Sequence, residues 1–366
     1  MFHRLAYLEN ATVLGDSGEK VTDINLQDPI TCLWLELRAT NGASYNHNSP
    51  MPYCVSSIEI IDGSRVLYSL NGKQAFAMAC ADLGQWPHTR LSFLGGDPQS
   101  LAVPILFGRY LGDPDFAFDP RKFVNPQLRI KWDLAAVNTV GATGYATGTG
   151  RLTAMCEVLP SGATPGGMLT KKQHYTWTTA VGSEFVECPT DLPWARIMYR
   201  AHLNAYHHYG LISKLRLNCD GGAYVPLDVD TEDLQYWLFA RTPRLSYREA
   251  GHWKNGDTLY AHLKQVEDVS LNAEDVDDLV AGYINYEYGS QTISVYQAGS
   301  AFTSYANIGA HVHGYFPWNY ISIPLGDIRD PDSWFQAPDY RSVRMEFVGA
   351  VASGEGELCL VQRLSY

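Results

Sequence analysis

Along most of this chain, apolar residues return at every second position. In Leu128-Arg129-Ile130-Lys131-Trp132-Asp133, the residues Leu128, Ile130 and Trp132 share one face and Arg129, Lys131 and Asp133 the other. Successive side chains of a strand point to opposite faces, so this run predicts a strand buried on one side only. Leu33, Leu35 and Leu37 alternate in the same way, as do Ile197, Tyr199 and Ala201. The helical period is scarce. Gly72 to Ala81 predicts one short helix, and Thr231 to Ala240 a second, with Asp230 as a plausible N-cap. Amphipathic strands with so little helix cover their apolar faces most simply by setting one sheet against another, so the expected fold is all-β and built as sandwiches.

The pattern also repeats. Asp28-Pro29 before Leu33, Leu35 and Leu37 returns as Asp191-Leu192-Pro193 before Ile197, Tyr199 and Ala201. Ser57-Ile58-Glu59-Ile60-Ile61-Asp62-Gly63 returns as Lys214-Leu215-Arg216-Leu217-Asn218-Cys219-Asp220-Gly221. Val103-Pro104-Ile105 with Asp113-Pro114-Asp115 returns as Ile323-Pro324-Leu325 with Asp330-Pro331-Asp332. Leu128-Arg129-Ile130-Lys131-Trp132 returns as Val343-Arg344-Met345-Glu346-Phe347, and Gly150-Arg151-Leu152 as Gly356-Glu357-Leu358. Blocks recurring in one order are the mark of an internal duplication. Asp62 and Asp220 are 158 positions apart but Asp113 and Asp330 are 217 apart, so the second half carries 59 extra residues, between Ala240 and Ile323. Leu159 to Gly167 is rich in Gly, Pro and Ser without an apolar period, as a domain boundary should be. The expected organisation is a first unit at 1–160, a linker at 161–170 and a second unit at 171–366 with its insertion around 241–320.

Composition agrees with the pattern. The 366 residues suffice for two cores, and 23 Tyr, 9 Trp, 32 Gly and 19 Pro favour strands joined by turns. A formal charge of −12 with no basic cluster argues against direct nucleic-acid binding, which draws on grouped Lys and Arg. Cys32, Cys54, Cys80, Cys156, Cys188, Cys219 and Cys359 are odd in number and contain no Cys-x-x-Cys pair, so they read as small buried hydrophobes in a reducing compartment. Met1 to Asn10 lacks the apolar core of a signal peptide, and no run reaches the roughly 18 apolar residues of a membrane span.

High-specificity catalytic motifs are missing: there is no phosphate-cradling glycine loop, no Gly-x-Ser-x-Gly and no His-Glu-x-x-His. The best metal candidate is His311-Val312-His313, which on a strand would place both imidazoles on one face. It resembles the His-x-His of cupins, but Phe316-Pro317-Trp318 stands where that family places a Glu, and a polar strand face is the simpler reading. His202, His207 and His208, with Tyr206 and Tyr209, read as loop or interface packing. Paired carboxylates are abundant, Asp228 with Asp230 among them, but spacing along the chain does not set the separation that glycoside hydrolysis needs, and Trp253, Trp318 and Trp334 are unspecific candidates for stacking on sugar. Glu267, Asp268, Glu274, Asp275, Asp277 and Asp278 around Leu271, Val276 and Leu279 read as a solvated short helix or loop; the run lacks the ligand and glycine spacing of a calcium loop.

The strand, Asp-Gly turn, strand and helix unit at Ile58 to Ala81, repeated at Leu215 to Ala240, resembles the double jelly-roll major capsid proteins of the adenovirus lineage. Asp119-Pro120-Arg121-Lys122-Phe123-Val124-Asn125-Pro126-Gln127-Leu128 looks like the approach to the penultimate strand of such rolls. The family includes shell proteins of tailless phages with a membrane beneath the capsid. The resemblance implies two tandem eight-stranded jelly rolls, a homotrimer whose six rolls make a pseudo-hexagonal tile, and tiles packed into an icosahedral shell. It implies no catalytic residue and no cofactor, an insertion projecting as a tower, and a location in the virion capsid after assembly in the host cytoplasm. Its partners would be copies of itself, neighbouring trimers, penton or minor capsid proteins and an internal lipid membrane. Membrane contact through Met1 to Leu14, where Arg4 is the one basic residue, is a hypothesis. A two-domain jelly-roll enzyme or lectin acting on glycans is the alternative, and a bicupin oxygenase or isomerase the third reading.

Overall fold

The structure is a computed structural model that describes residues 4–43, 46, 51–93, 95–135, 144–203, 206–253, 258–260, 262–273, 280–285, 292–297 and 306–366. The first half runs β1 (Arg4–Val13), β2 (Ser17–Asp23), β3 (Ile30–Thr40), β4 (Val55–Asp62), β5 (Arg65–Leu70), helix α1 (Gly72–Leu83), β6 (Thr89–Phe93), β7 (Pro98–Leu106), β8 (Pro126–Asp133) and β9 (Arg151–Val158). The second half runs β10 (Gly167–Thr178), β11 (Gly182–Cys188), β12 (Trp194–His202), α2 (His208–Leu211), β13 (Ile212–Cys219), β14 (Tyr224–Asp230) and α3 (Thr231–Phe239). Six strands follow: β15 (Leu245–Trp253), β16 (Thr258–Tyr260), β17 (Leu263–Ala273), β18 (Val280–Asn285), β19 (Thr292–Gln297) and β20 (Ala306–Pro317). The chain ends on β21 (Tyr320–Pro324), β22 (Val343–Gly349) and β23 (Glu355–Ser365).

Strand order makes each half a jelly roll. The first places β1-β9-β3-β7 against β2-β8-β4-β5, and the second places β10-β23-β12-β21 against β11-β22-β13-β14. The period-two residues do what their pattern predicts: β8 and β22 alternate buried and half-buried along their lengths. Ile58, Ile60, Leu128, Ile130 and Ala154 fill the first sandwich, and Leu215, Leu217, Met345, Phe347 and Leu358 the second.

The repeat reaches single hydrogen bonds. Asp62 Oδ1 accepts from the Val124 and Asn125 N–H groups at 3.1 and 2.7 Å, and Asp220 Oδ1 from those of Arg341 and Ser342 at 2.8 and 3.1 Å. Each Asp therefore ties its hairpin turn to the approach of the penultimate strand. Gly63 and Gly221 follow at φ of 60° and 70°, the left-handed region that glycine enters without a Cβ penalty. One echo is two residues out. The Leu14 N–H donates to the Gly150 carbonyl at 2.9 Å and the Thr179 N–H to the Gly354 carbonyl at 2.7 Å, so Gly354, not Gly356, is the counterpart of Gly150. A shift of two preserves every inward-facing residue, which is why the sequence pattern could not register it.

The helices start where the period places them. Asn71 and Gln74 form a capping box on α1, whereas Asp230 flanks α3 without a side-chain cap bond. Helix α1 extends to Leu83 and stops at Gly84 in the left-handed conformation. Residues 167–170 of the expected linker already belong to β10. The 59 extra residues are not a plain loop. β15, β20 and β17 extend the first roll's sheet through parallel pairing of β15 with β6, and β16, β19 and β18 form a separate three-stranded sheet. The insertion is therefore anchored on the half of the chain that does not encode it. Trp86 stacks on Tyr247 at 4.6 Å and 24°, and Phe76 meets Trp86 and Trp318 at 4.7 and 5.3 Å, locking its base to α1.

Candidate functional site

The candidate catalytic and metal groups do not converge. His311 and His313 lie on β20 between β15 and β17, with Arg248 and Ser270 opposite His311 in register, and Ser246 and Asp268 opposite His313. An arginine facing His311 is a poor neighbour for a divalent cation. Among the described residues, no group of three or more His, Cys, Asp or Glu is placed to hold a metal ion. Glu267 and Asp268 fall on β17 rather than on a short helix or loop, because that strand pairs with β20; residues 274–279 of the acidic run lie outside the described residues.

His208 is buried, which pushes its imidazole down to about 3, and it packs against Tyr199, Tyr209 and Phe316. His207 stacks on Tyr209 at 4.9 Å, and His202 Nδ1 meets Asn319 Nδ2 at 3.2 Å. His208 thus packs α2 against β12 and β20 rather than packing a loop. Asp228 binds Lys214 and Arg216 at 2.8 and 3.1 Å on the sheet surface. Trp318 and Trp334 are buried and offer no exposed ring to a sugar; the side chain of Trp253 lies outside the described residues. All seven cysteines are free thiols and six are buried. Burial pushes the thiols of Cys156 and Cys188 up to about 12, far from the reactive thiolate range.

What the molecule does offer is edges and a built junction between its halves. Strand β5 of the first roll pairs in parallel with β10 of the second, Tyr68 opposite Lys171 and Ser69 opposite Lys172, fusing two four-stranded sheets into one of eight. Helix α1 lies on the outer face of β10-β23-β12-β21. Its ridge Gln74, Met78 and Asp82 is spaced four residues apart and faces that sheet. Gln74 Nε2 donates to Gln173 Oε1 and Glu357 Oε2, both at 2.6 Å, and Arg196 Nη1 to Asp82 Oδ1 at 2.7 Å. Lys171 Nζ donates to Asp82 Oδ2 and, at 2.6 Å, to the Leu106 carbonyl. Beside them buried Arg200 binds Glu355 and Glu357, and the Tyr320 hydroxyl donates to Glu357 at 2.7 Å. Burial works against Glu355, yet the Arg200 guanidinium holds its carboxyl below the usual range.

The corresponding surfaces at the edge strands β1 and β14 are uncovered. Strand β1 is an edge with Leu5, Tyr7 and Val13 about 60% exposed. Strand β14 is an edge with Tyr224 and Val225 exposed, and α3 presents Tyr236 and Trp237. Between β14, α3 and β21 opens a cleft of about 760 Å³ lined by Leu227, Val229, Leu234, Trp237, Pro324 and Tyr340. Exposed apolar surface of this extent around unpaired edges marks sites of association. Alternation of apolar and polar residues singles out neither α3's outer face nor the Asp82 junction.

No protein-family model matches the sequence, and no curated protein does. The fold, however, is shared at full length. The chain is similar to the major capsid protein of bacteriophage PM2, with a TM-score of 0.54 at 9% identity, over 99% of this chain and 98% of that one. A structure from Sulfolobus turreted icosahedral virus gives a TM-score of 0.61 at 9% identity over 100% and 91% of the two chains. The PBCV-1 virus capsid gives 0.51 at 9% identity over 99% and 94%. At such identities the likeness establishes the fold, two tandem jelly rolls, as the sequence resemblance implied.

Proposed function

We propose that the chain is a shell-building protein: a major capsid protein whose homotrimers form pseudo-hexagonal tiles of an icosahedral virion. The observation that carries this reading is the full-length match of both rolls to capsid proteins of three viruses. The distribution of chemistry supports it, since buried polar groups tie α1 to the second roll and the edge strands β1 and β14 carry the exposed apolar residues Leu5, Tyr7, Val13, Tyr224 and Val225. The rolls at 1–160 and 171–366 are proposed as products of one duplication. Duplication lets a threefold oligomer occupy a sixfold lattice position. Neighbouring trimers, penton or minor capsid proteins and an internal membrane are the partners such a tile would meet, with virion assembly in the host cytoplasm and no direct contact with nucleic acid.

Arg4 to Asn10 form most of β1, so removing Met1 to Asn10 would remove a strand of the first roll, not a free arm. His311 and His313 are proposed as polar strand residues without a metal: the variants His311→Ala and His313→Ala should keep oligomeric state and melting temperature, and a loss of bound metal by elemental analysis would contradict this.

The deciding experiment is native mass by light scattering after size exclusion, with negative-stain images of the peak. A species of about 122 kDa, three times 40.7 kDa, with hexagonal outlines is expected. A stable monomer across the accessible concentration range would overturn the capsid tile.

A further inference from the structure

Both rolls break register at matching places. β1 shifts against β9 between Tyr7 and Glu9, and β10 against β23 between Gln173 and Tyr175, so Tyr7 is the counterpart of Gln173 and Leu5 that of Lys171. Counting from the helix starts at Asn71 and Asp230, the ridge Gln74, Met78 and Asp82 corresponds to Asp233, Trp237 and Arg241, and the strand residues Tyr68 and Ser69 to Leu227 and Asp228. In the first roll these positions are covered: β5 is paired with β10, and α1 is clasped by the outer face of the second roll. In the second roll the same positions are bare, with β14 an edge, Trp237 42% exposed and Tyr236 60% exposed. The element that would cover them by the same rule is β1, itself an edge.

We propose that β14 of one copy pairs in parallel with β1 of a second copy, Leu227 opposite Leu5 and Asp228 opposite Ala6, with α3 seated on the outer face of that copy's β1-β9-β3 strands. This rests on the trimer reading above and adds which strand meets which. The occupant is a second copy because its chemistry answers the site's. Tyr7, Met155 and Trp34 stand in one row across those strands, and Met155 and Trp34 are only half-buried, giving Trp237 an apolar floor like the row of Met198 and Cys359, which share one buried cluster with Met78. The Tyr7 hydroxyl supplies a donor to the Asp233 carboxylate at the position where Gln74 donates to Gln173. Added strand pairing fixes register through main-chain hydrogen bonds and closes the 760 Å³ cleft beside β14. Such a contact is heterologous, joining different surfaces of identical chains, and it must close a ring or polymerise; six rolls close it with three copies.

Neighbouring strands lie about 4.8 Å apart, within the Cα separation of about 4.4–6.8 Å that a disulfide spans. Full-length chains carrying Ala6→Cys and Asp228→Cys, co-expressed as single variants and mildly oxidised, should give a covalent dimer of about 81 kDa on a non-reducing gel, twice 40.7 kDa. The double variant should give a covalent trimer, and the unmodified chain neither. Trp237→Glu should lose the trimer with the circular dichroism of the fold retained. A trimer in light scattering that neither cross-links nor responds to Trp237→Glu overturns this junction and leaves the capsid tile standing. Absence of any trimer overturns both.

Discussion

Asp82 is the residue on which the two rolls turn. Its carboxylate faces Lys171 and Arg196, all three nearly excluded from water. A buried pair can be a poor source of net stability, but removing one partner strands a charge at a cost of about 3–5 kcal/mol. Asp82→Asn should therefore lower unfolding free energy by that order in denaturant titration, far more than Asp115→Asn, whose carboxylate is 69% exposed. A second buried acid behaves differently. Burial pushes the Glu249 carboxyl up to about 8, with His262 Nε2 3.4 Å away. An acid whose value is raised by folding stabilises the fold below its unfolded value, near 4.5, and loses that contribution as pH rises through 8. The melting temperature of the native chain should fall relative to Glu249→Gln as pH rises from about 4.5 to about 8, and the difference should level off above that; parallel curves for the two would refute the assignment. None of this was legible in the sequence, where Asp82 closes a helix and Glu249 sits among alternating residues, because burial on a sheet's outer face depends on what another part of the chain lays over it.

At the scale of elements, the Asp-Gly turns are where sequence and structure agree most closely. Asp62 and Asp220 were paired by position, and each proves to hold two backbone N–H groups of the strand approach in its own roll. Hydrogen bonds to a charged acceptor contribute about 1.5–3 kcal/mol, and the two sites share no partner. Asp62→Ala and Asp220→Ala should each cost of that order, and the double variant should cost their sum within about 0.5 kcal/mol; a large coupling would mean that the turns communicate. Local pattern served well here because turn, strand and cap are short-range features. It served poorly on β12, where Arg196, Met198 and Arg200 interrupt no alternation of burial at all: the strand is buried on both faces, by its own core and by α1. It also misjudged the insertion. Glu267 and Asp268 suggested a solvated helix or loop, but pairing of β17 with β20 is a contact between distant segments, and charged residues on one strand say nothing of it. The exposed face of α3 is the same lesson reversed. Tyr236 and Trp237 look like core residues until Leu234 and Leu238 are seen to take the buried side.

For the whole molecule, the consequence of fusing sheets across the repeat is that the first roll is not finished alone. The first roll needs β10 to cover β5, and it needs the second roll's sheet to cover α1, whose residues Ala75 to Cys80 are all buried. A helix apolar on every side is stable only inside a larger core. Segment 1–160 produced by itself would expose Met78 and an unpaired strand edge, and should aggregate or remain unfolded. The second roll is in the opposite position: it keeps a core of its own in Leu215, Leu217, Met345, Phe347 and Leu358. What segment 161–366 would lose is the cover on Lys171, Arg196 and Met198, which leaves charges that water can solvate. Produced as two chains in one cell, the segments should co-purify at equal stoichiometry, with β5 and β10 rejoined and the insertion docked on β6. Independent folding of 1–160, seen as a cooperative melt of the isolated segment, would show that the junction is an accessory contact, and the same interface would then be too weak a template for assembly between copies.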